Sequence, residues 1–348
     1  MKAITILPGK AGSVEVEEVG EPEPGYGPVL VEGIALGICG TDAEIARGEY
    51  GTSPAGSRRL ILGHESLGRV LDAPEGSGLR AGDLVAGIVR RPDPAPCECC
   101  GMGQWDMCRN DGYTERGIKS LHGYGSERWR IEPGFAVPID PALGTTGVLM
   151  EPTSVVAKAW EQIERIAGRA CSGMTSVTVV GAGPIGLLAA LLGAQRGLKV
   201  TIVDHNADGP KPEVSRALGA TYHSGPLTDT PPSDVLIEAT GVGQLVLDAM
   251  AHVRPGGIVC LTGVSAPGHE LGIDAGELGR RMVLENTVVF GTVNANRGHY
   301  EQAAAALAAA DHGWLESLIS RRVELPAAAE ALERRKDDIK VVVELGEE

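Results

Sequence analysis

The sequence predicts an α/β protein of two domains, one rich in short β-strands and one built on a doubly wound parallel sheet. Three observations carry this. The chain has 348 residues, more than one ordinary core organises, and its hydrophobic content of 43% is that of a well-packed globular protein. Residues 1–154 are dense in Gly, Pro and short valine-bearing runs, which suits short strands joined by tight turns. From residue 155 onward, apolar strand candidates alternate with helical stretches, the pattern of a parallel sheet covered by helices.

Taken in order, Met1 to Gly9 alternates apolar and small residues as a first strand does, and it lacks a basic region followed by a long apolar run. No signal peptide is therefore expected, and a cytoplasmic location follows. Pro28 to Glu32 and Gly82 to Val85 read as further strands of this part. Val155 to Ile166 reads as a helix crossing between the domains, and Val177 to Val180 as the first strand of the second. A glycine-rich turn and the helix Pro184 to Gln195 follow, then strands at Lys199 to Val203, Val235 to Glu238, Gly257 to Thr262 and Thr287 to Phe290, with a helix over Gln244 to Val253. An alanine-rich amphipathic run, Tyr300 to Ala310, and a short apolar strand, Ile339 to Glu344, are expected to return residues 294–348 to the first domain, leaving 155–293 as the second.

Composition narrows the partners. Lys and Arg total 31 against 46 Asp and Glu, a net charge near -15, which argues against a protein that tracks nucleic-acid phosphates or docks on an anionic membrane. No run approaches the roughly 18 apolar residues of a membrane span. Small molecules, or a second copy of the chain, are the expected partners. Four of the seven cysteines crowd between Cys97 and Cys108, which suits a metal cluster better than a disulfide framework.

Gly181-Ala182-Gly183-Pro184-Ile185-Gly186 fits GxGxxG directly after an apolar strand and at the opening of a helix, the context that makes the pattern specific. The first glycine permits a tight turn, the second lets backbone approach a pyrophosphate, and the third lets helix pack on strand. Free amides at the helix start then bind the anion. Asp204 ends the second strand, where its carboxylate would accept from both adenosine ribose hydroxyls and repel a 2'-phosphate. His205 and Asn206 offer no arginine pair in exchange, so NAD is predicted over NADP, with Lys211 the residue that speaks for the opposite preference.

Three separated segments, Cys39-Gly40-Thr41-Asp42, Gly63-His64-Glu65 and Glu151-Pro152, supply a thiolate, an imidazole and two carboxylates, a mixed donor set that zinc accepts with one position left open for substrate or water. With the GAGPIG turn, these segments resemble the zinc-containing medium-chain alcohol dehydrogenase family over essentially the whole chain. That resemblance implies a GroES-like β-rich catalytic domain and a Rossmann cofactor domain. It makes Cys39, His64 and Glu151 zinc ligands, Glu65 the carboxylate that ligates or exchanges at the metal, and Thr41 the hydroxyl that starts a proton relay. Thr240, Gly241, Gly263, Val264 and Asn294 join Gly181, Gly183, Pro184, Ile185, Gly186, Asp204 and His205 around the cofactor. Glu44 stands where many relatives finish the relay with a histidine, so the proton leaves by Glu44 or by water. Homodimers or homotetramers are usual in such a family.

Relatives also carry a structural zinc loop of four ligands. Cys97, Cys100 and Cys108 match three of them, but Pro94 stands at the fourth, leaving Cys99, Asp106 or Asp111 to complete a tetrahedral site. Glu115-Arg116-Gly117-Ile118, His122-Gly123-Tyr124, Glu151-Pro152-Thr153-Ser154 and Val293-Asn294-Ala295 with His299-Tyr300 are similar to the glucose dehydrogenase branch, which implies that Glu115, Glu151 and Asn294 meet the sugar. Val89 replaces an asparagine that touches the sugar in some relatives. Three functions are thus open: oxidation of an aldose, D-glucose foremost, at its anomeric carbon with NAD(P); dehydrogenation of another polyol, cyclitol or secondary alcohol; and non-catalytic dinucleotide binding.

Overall fold

The computed structural model describes residues 1–171, 173–264 and 270–346, and the chain divides into two compact units, Met1–Ser154 with Asn294–Glu348, and Val155–Val293.

The first unit is organised by the strand Val29–Ile38. Its first half alternates buried and half-buried positions, as a strand with one face on a core does, and its second half is buried on both faces. It pairs antiparallel with Glu65–Asp72, Lys340–Glu344 and Arg128–Ile131. Leu84–Gly87 and Ala136–Pro138 extend the sheet beyond Glu65–Asp72, and Ile319–Glu324 extends it beyond Lys340–Glu344. The C-terminal segment thus returns to the first unit, through a strand that begins one residue after the expected Ile339. Two small sheets flank this one: Lys2–Ile6 between Glu15–Glu18 and Leu60–Ile61, and Thr114–Arg116 between Arg90–Arg91 and Ser120–Leu121.

Ile4, Ile6, Val31, Leu36, Leu60, Tyr124 and Trp129 pack into one buried cluster under these sheets. Fully burying side chains of this size contributes roughly 1.5–3 kcal/mol each, against roughly 1–2 kcal/mol of backbone entropy per ordered residue. That surplus holds the connections on the rim of the sheet in fixed positions. Two glycines shape the rim. Gly37 lies opposite Glu65 across the ladder, and a Cβ there would run into the Glu65 carboxylate. Gly63, just before His64, has φ +94°, a left-handed conformation that favours glycine.

The helix Met150–Ala167 carries the chain from the first unit into the second. It begins before the expected Val155 because Pro152 falls in its first turn, where a missing N–H costs no intrahelical hydrogen bond. Glu151 is thereby held on a helix start rather than on a free loop.

The second unit is a six-stranded sheet in which every pair is parallel. Its order is Thr221–His223, Lys199–Val203, Ser176–Val180, Val235–Glu238, Ile258–Leu261, Val288–Gly291. In chain order this is 3-2-1-4-5-6, so the connections reverse direction between Ser176–Val180 and Val235–Glu238, the crevice where doubly wound sheets bind ligands. The helix Pro184–Gln195 is buried from Gly186 to Gly193, as its nearly uniform apolar sequence requires. No helix among the described residues is long and apolar enough to cross a membrane.

Candidate active site

Cys39, His64 and Glu65 bring one ligand atom each within 4.8 Å of one another. Cys39 caps the helix Gly40–Ala46, and its sulfur accepts from the Thr41 amide at 3.3 Å. That places Sγ 3.1 Å from His64 Nε2. The other imidazole nitrogen, Nδ1, lies 3.4 Å from Asp42 Oδ1, while Asp42 Oδ2 accepts from the Cys39 amide at 3.0 Å. One buried carboxylate therefore steers both the thiolate and the imidazole, the arrangement that orients metal-binding histidines. Burial alone would raise the Asp42 carboxyl, but His64 and the Cys39 amide outweigh it and hold it below the usual range. Burial also opposes a charged His64, yet Cys39 and Asp42 lift the imidazole well above its ordinary value. Asp42 was visible in the sequence only as the last letter of its segment. A carboxylate three residues after a candidate ligand, in the first turn of a helix, is the signal that could have found it.

Glu65 is tied to a partner that sequence reasoning missed. Lys340 Nζ donates to Glu65 Oε1 at 2.6 Å and Oε2 at 2.5 Å, and to the Ile38 carbonyl at 3.3 Å. Its only trace in the sequence is a lysine heading the valine run of the last strand. Glu151 stands outside the close group of three but within electrostatic reach of it. Burial pushes its carboxyl up to about 7, with His64 pulling down against Glu65. Thr41 and Glu44 sit three residues apart on the helix Gly40–Ala46, hence on neighbouring turns of one face.

Glu115 and Asn294, far apart in sequence, meet directly. Asn294 Nδ2 donates to Glu115 Oε1 at 2.7 Å, and the same oxygen accepts from Arg90 Nε and Nη2, each at 3.0 Å. Arg90 is itself fixed by the Tyr113 ring, 3.7 Å from its guanidinium carbon, and by the Asp106 carbonyl. The three donors all use Oε1. Asn294 adopts φ +65° and its own Oδ1 accepts from the Ala295 amide, so its side chain is aimed by a left-handed turn. Val89 is buried in the core.

In the second unit the glycine turn has the shape its spacing implies. Gly181 has φ +103°, and a Cβ on Gly186 would strike the Gly181 carbonyl oxygen, so helix and strand approach only without a side chain there. Above Gly183 a Cβ would meet nothing within 4 Å, which leaves room for a ligand to approach the backbone. Pro184 and Ile185 open the helix that follows. Asp204 reinforces this turn: Oδ2 accepts from the Ala182 amide at 2.8 Å and Oδ1 from the Asn206 amide at 3.0 Å, with Lys211 Nζ at 3.8 Å. Burial would raise its carboxyl, but these amides and Lys211 lower it. His205 is exposed beside it. At the neighbouring strand end, the buried Glu238 accepts from the Thr240 amide and hydroxyl and from the Gly241 amide. A Cβ on Gly241 would strike the Val264 carbonyl, and one on Gly263 the Gly241 amide, so the two strand-end loops touch through glycine. Glu238 has no local sequence signature beyond ending an apolar strand.

Of the cysteine loop, Cys97, Cys100 and Cys108 lie within 4.8 Å of one another, and Cys99 does not join them. Cys97 and Cys100 share a face of the short helical turn Glu98–Gly101, whereas the adjacent Cys99 points another way. Asp106 is buried and accepts from Asn296 at 3.0 Å, and Asp111 pairs with Lys119 at 2.7 Å. Amides of Arg109 and Cys100 draw the Cys97 thiol down to about 7, whereas burial pushes Cys100 up to about 11.

A family model described as an alcohol dehydrogenase GroES-like domain matches residues 25–141, and one described as a glucose dehydrogenase C-terminus matches residues 144–345. A glucose 1-dehydrogenase of Methanocella arvoryzae is 40% identical over 99% of this chain and 100% of its own, and one of Thermoproteus tenax is 38% identical over 99% of each. The solved Haloferax mediterranei glucose dehydrogenase in complex with NADP, Zn and gluconolactone superposes with a TM-score of 0.91 at 32% identity, covering 99% of both chains.

Proposed function

The chain belongs to the zinc-containing medium-chain alcohol dehydrogenase family, in its glucose dehydrogenase branch, and from that membership we propose that it oxidises D-glucose at C1 to gluconolactone, with NAD preferred to NADP. The observation that carries this is the convergence of thiolate, imidazole and carboxylate within 4.8 Å, in the unit that also joins Glu115 to Asn294. A donor set of one sulfur, one nitrogen and a carboxylate suits zinc and leaves a coordination position over.

When bound, zinc acts as a Lewis acid that lowers the pKa of the substrate hydroxyl, and the nicotinamide accepts hydride. Cys39 and His64 hold the metal, with Asp42 fixing which imidazole nitrogen faces the thiolate. Glu65, restrained by Lys340, and Glu151, outside the close group, would share one further position in exchange and leave the last to the substrate oxygen, Glu151 also reaching toward the sugar. The Thr41 hydroxyl takes the proton from the substrate oxygen and Glu44, one turn on, receives it. Glu115 offers the sugar the oxygen that Arg90 and Asn294 leave free. In the second unit, the open backbone at Gly183 and the helix start at Pro184 hold a pyrophosphate. The Asp204 carboxylate disfavours a 2'-phosphate, with Lys211 limiting that repulsion. We further assign a structural zinc to Cys97, Cys100 and Cys108, a homo-oligomeric state and a cytoplasmic location.

A dehydrogenase of another aldose or polyol is the second reading: with Val89 packed into the core, the asparagine that touches the sugar in some relatives has no counterpart here. The test is steady-state kinetics on a panel of aldoses, polyols and alcohols with each cofactor, beside the zinc content of a Cys39→Ser/His64→Ala variant. The proposal expects the highest kcat/KM for D-glucose with NAD, and loss of both metal and turnover in the variant. A better polyol substrate, or a variant that keeps its activity, would overturn it.

A further inference from the structure

Asp106 stands in the turn Trp105–Met107, directly before Cys108, and is 6% exposed. It is not one of the groups that gather with Cys97, Cys100 and Cys108. Its carbonyl and its carboxylate are engaged instead by residues around Glu115. The carbonyl accepts from Arg90 Nη1 at 3.2 Å, and carboxylate Oδ1 accepts from Asn296 Nδ2 at 3.0 Å. Neither bond is easily given up, because a buried acceptor left unmet costs its full desolvation.

Arg90 and Asn296 lead to one atom by two routes. Arg90 turns Nε and Nη2 to Glu115 Oε1, each at 3.0 Å. A guanidinium is planar, so the hold on Nη1 fixes the plane in which the other two nitrogens donate. Asn296 is the N-cap of the helix Arg297–Ala308: its Oδ1 accepts from the His299 amide at 3.4 Å, and its own amide donates to His299 Nδ1 at 3.1 Å. Two residues earlier, Asn294 sits in its left-handed turn and donates to the same Glu115 oxygen at 2.7 Å. Asp106, Arg90, Glu115, Asn294 and Asn296 thus close a ring within the first unit. The ring holds Glu115 by Oε1 alone, and Oε2 accepts from none of the described residues.

We propose that Asp106 is a positioning residue for the sugar. It aligns Arg90 and Asn294 on Glu115 Oε1, and so aims Oε2 at a sugar hydroxyl, without touching substrate itself. The cysteine loop then serves the sugar site as well as the stability of the chain. The inference rests on the reading of Glu115 and Asn294 as sugar-binding residues. A residue that merely docked the loop would affect stability, with no effect confined to the sugar.

The test is steady-state kinetics of the zinc-loaded full chain with D-glucose and saturating NAD. Asp106→Ala should raise the KM for D-glucose about tenfold, with kcat and the KM for NAD little changed, because binding is lost and no reacting atom is touched. Asp106→Asn, which keeps an acceptor for Asn296, should bring that KM back to within about twofold of the parent. In a Glu115→Ala background Asp106→Ala should add almost nothing, since it acts through Glu115. No turnover of D-glucose, or an unchanged KM in Glu115→Ala, would end the sugar reading and this inference with it. A raised KM in Glu115→Ala beside an unchanged one in Asp106→Ala, or full additivity of the two, contradicts the role of Asp106 alone. If Asp106→Ala does not fold, Asn296→Ser decides: serine keeps the helix cap but gives up the Nδ2 donor, so the KM for D-glucose must rise in it, and an unchanged value overturns the proposal.

Discussion

Replacing Lys340 by Met would remove the ammonium that binds both Glu65 oxygens, at 2.6 and 2.5 Å, where the two side chains are 1% and 2% exposed. Methionine keeps most of the aliphatic volume, so the perturbation is chiefly one of charge. An exposed pair would contribute about 0–1 kcal/mol. Breaking a buried one leaves an uncompensated carboxylate and costs about 3–5 kcal/mol, and burial at both ends puts this pair in the second class. The lost hydrogen bond to the Ile38 carbonyl adds about 1 kcal/mol. Urea denaturation of metal-free Lys340→Met should therefore show a loss of about 4–6 kcal/mol, and zinc should narrow it by supplying Glu65 with another cation. Combining it with Glu65→Gln should recover most of the loss, since neither charge is then left alone. A single-variant loss under about 1 kcal/mol, or no recovery in the double variant, would refute this account of Glu65.

Three further outcomes follow from the same geometry. Asp42→Ala frees the imidazole of His64 to rotate, and chelator competition should show zinc affinity reduced about 10–100-fold; an unchanged affinity would count against Asp42 as the orienting group. Gly186→Ala drives a Cβ into the Gly181 carbonyl, so the KM for the nicotinamide cofactor should rise about tenfold or more with zinc content unaltered. His64 is raised well above its ordinary value in the metal-free protein. Its contribution to folding stability is thus fully present below the unfolded value, about 6.5, and is lost as pH rises through the raised one. Zinc must displace that proton, so zinc affinity should fall as pH drops and uptake at neutral pH should release protons. Calorimetric titration in two buffers of different ionisation enthalpy reads that release, and equal heats in both would contradict it.

Much of the second unit was legible because its elements are largely buried apolar runs bounded by turns: the helix Pro184–Gln195 and the strands Lys199–Val203 and Val235–Glu238 have the limits their residues suggest. Thr221–His223 escaped notice because three residues, partly exposed and without an apolar run, carry no periodicity. Ile319–Glu324 was hidden by its charges, which alternate outward along an edge strand. Cys39, His64 and Glu65 could be picked out because their residue types and local neighbours are distinctive. Lys340 could not, since a lysine is seldom buried and its partner lies 275 residues away. The cysteine loop shows the limit of spacing: Cys99 is the nearest thiol in sequence, but adjacency on a helical turn directs it away from the other three.

The central claim is that hydride leaves C1 of D-glucose for a nicotinamide, under the control of a zinc held by Cys39 and His64. D-glucose deuterated at C1, turned over by the zinc-loaded protein, measures this most directly. The account predicts deuterium at C4 of the reduced nicotinamide, gluconolactone or its hydrolysis product as the oxidised sugar, and no transfer after zinc is stripped. Reduced cofactor free of deuterium, or transfer that persists without zinc, would contradict it.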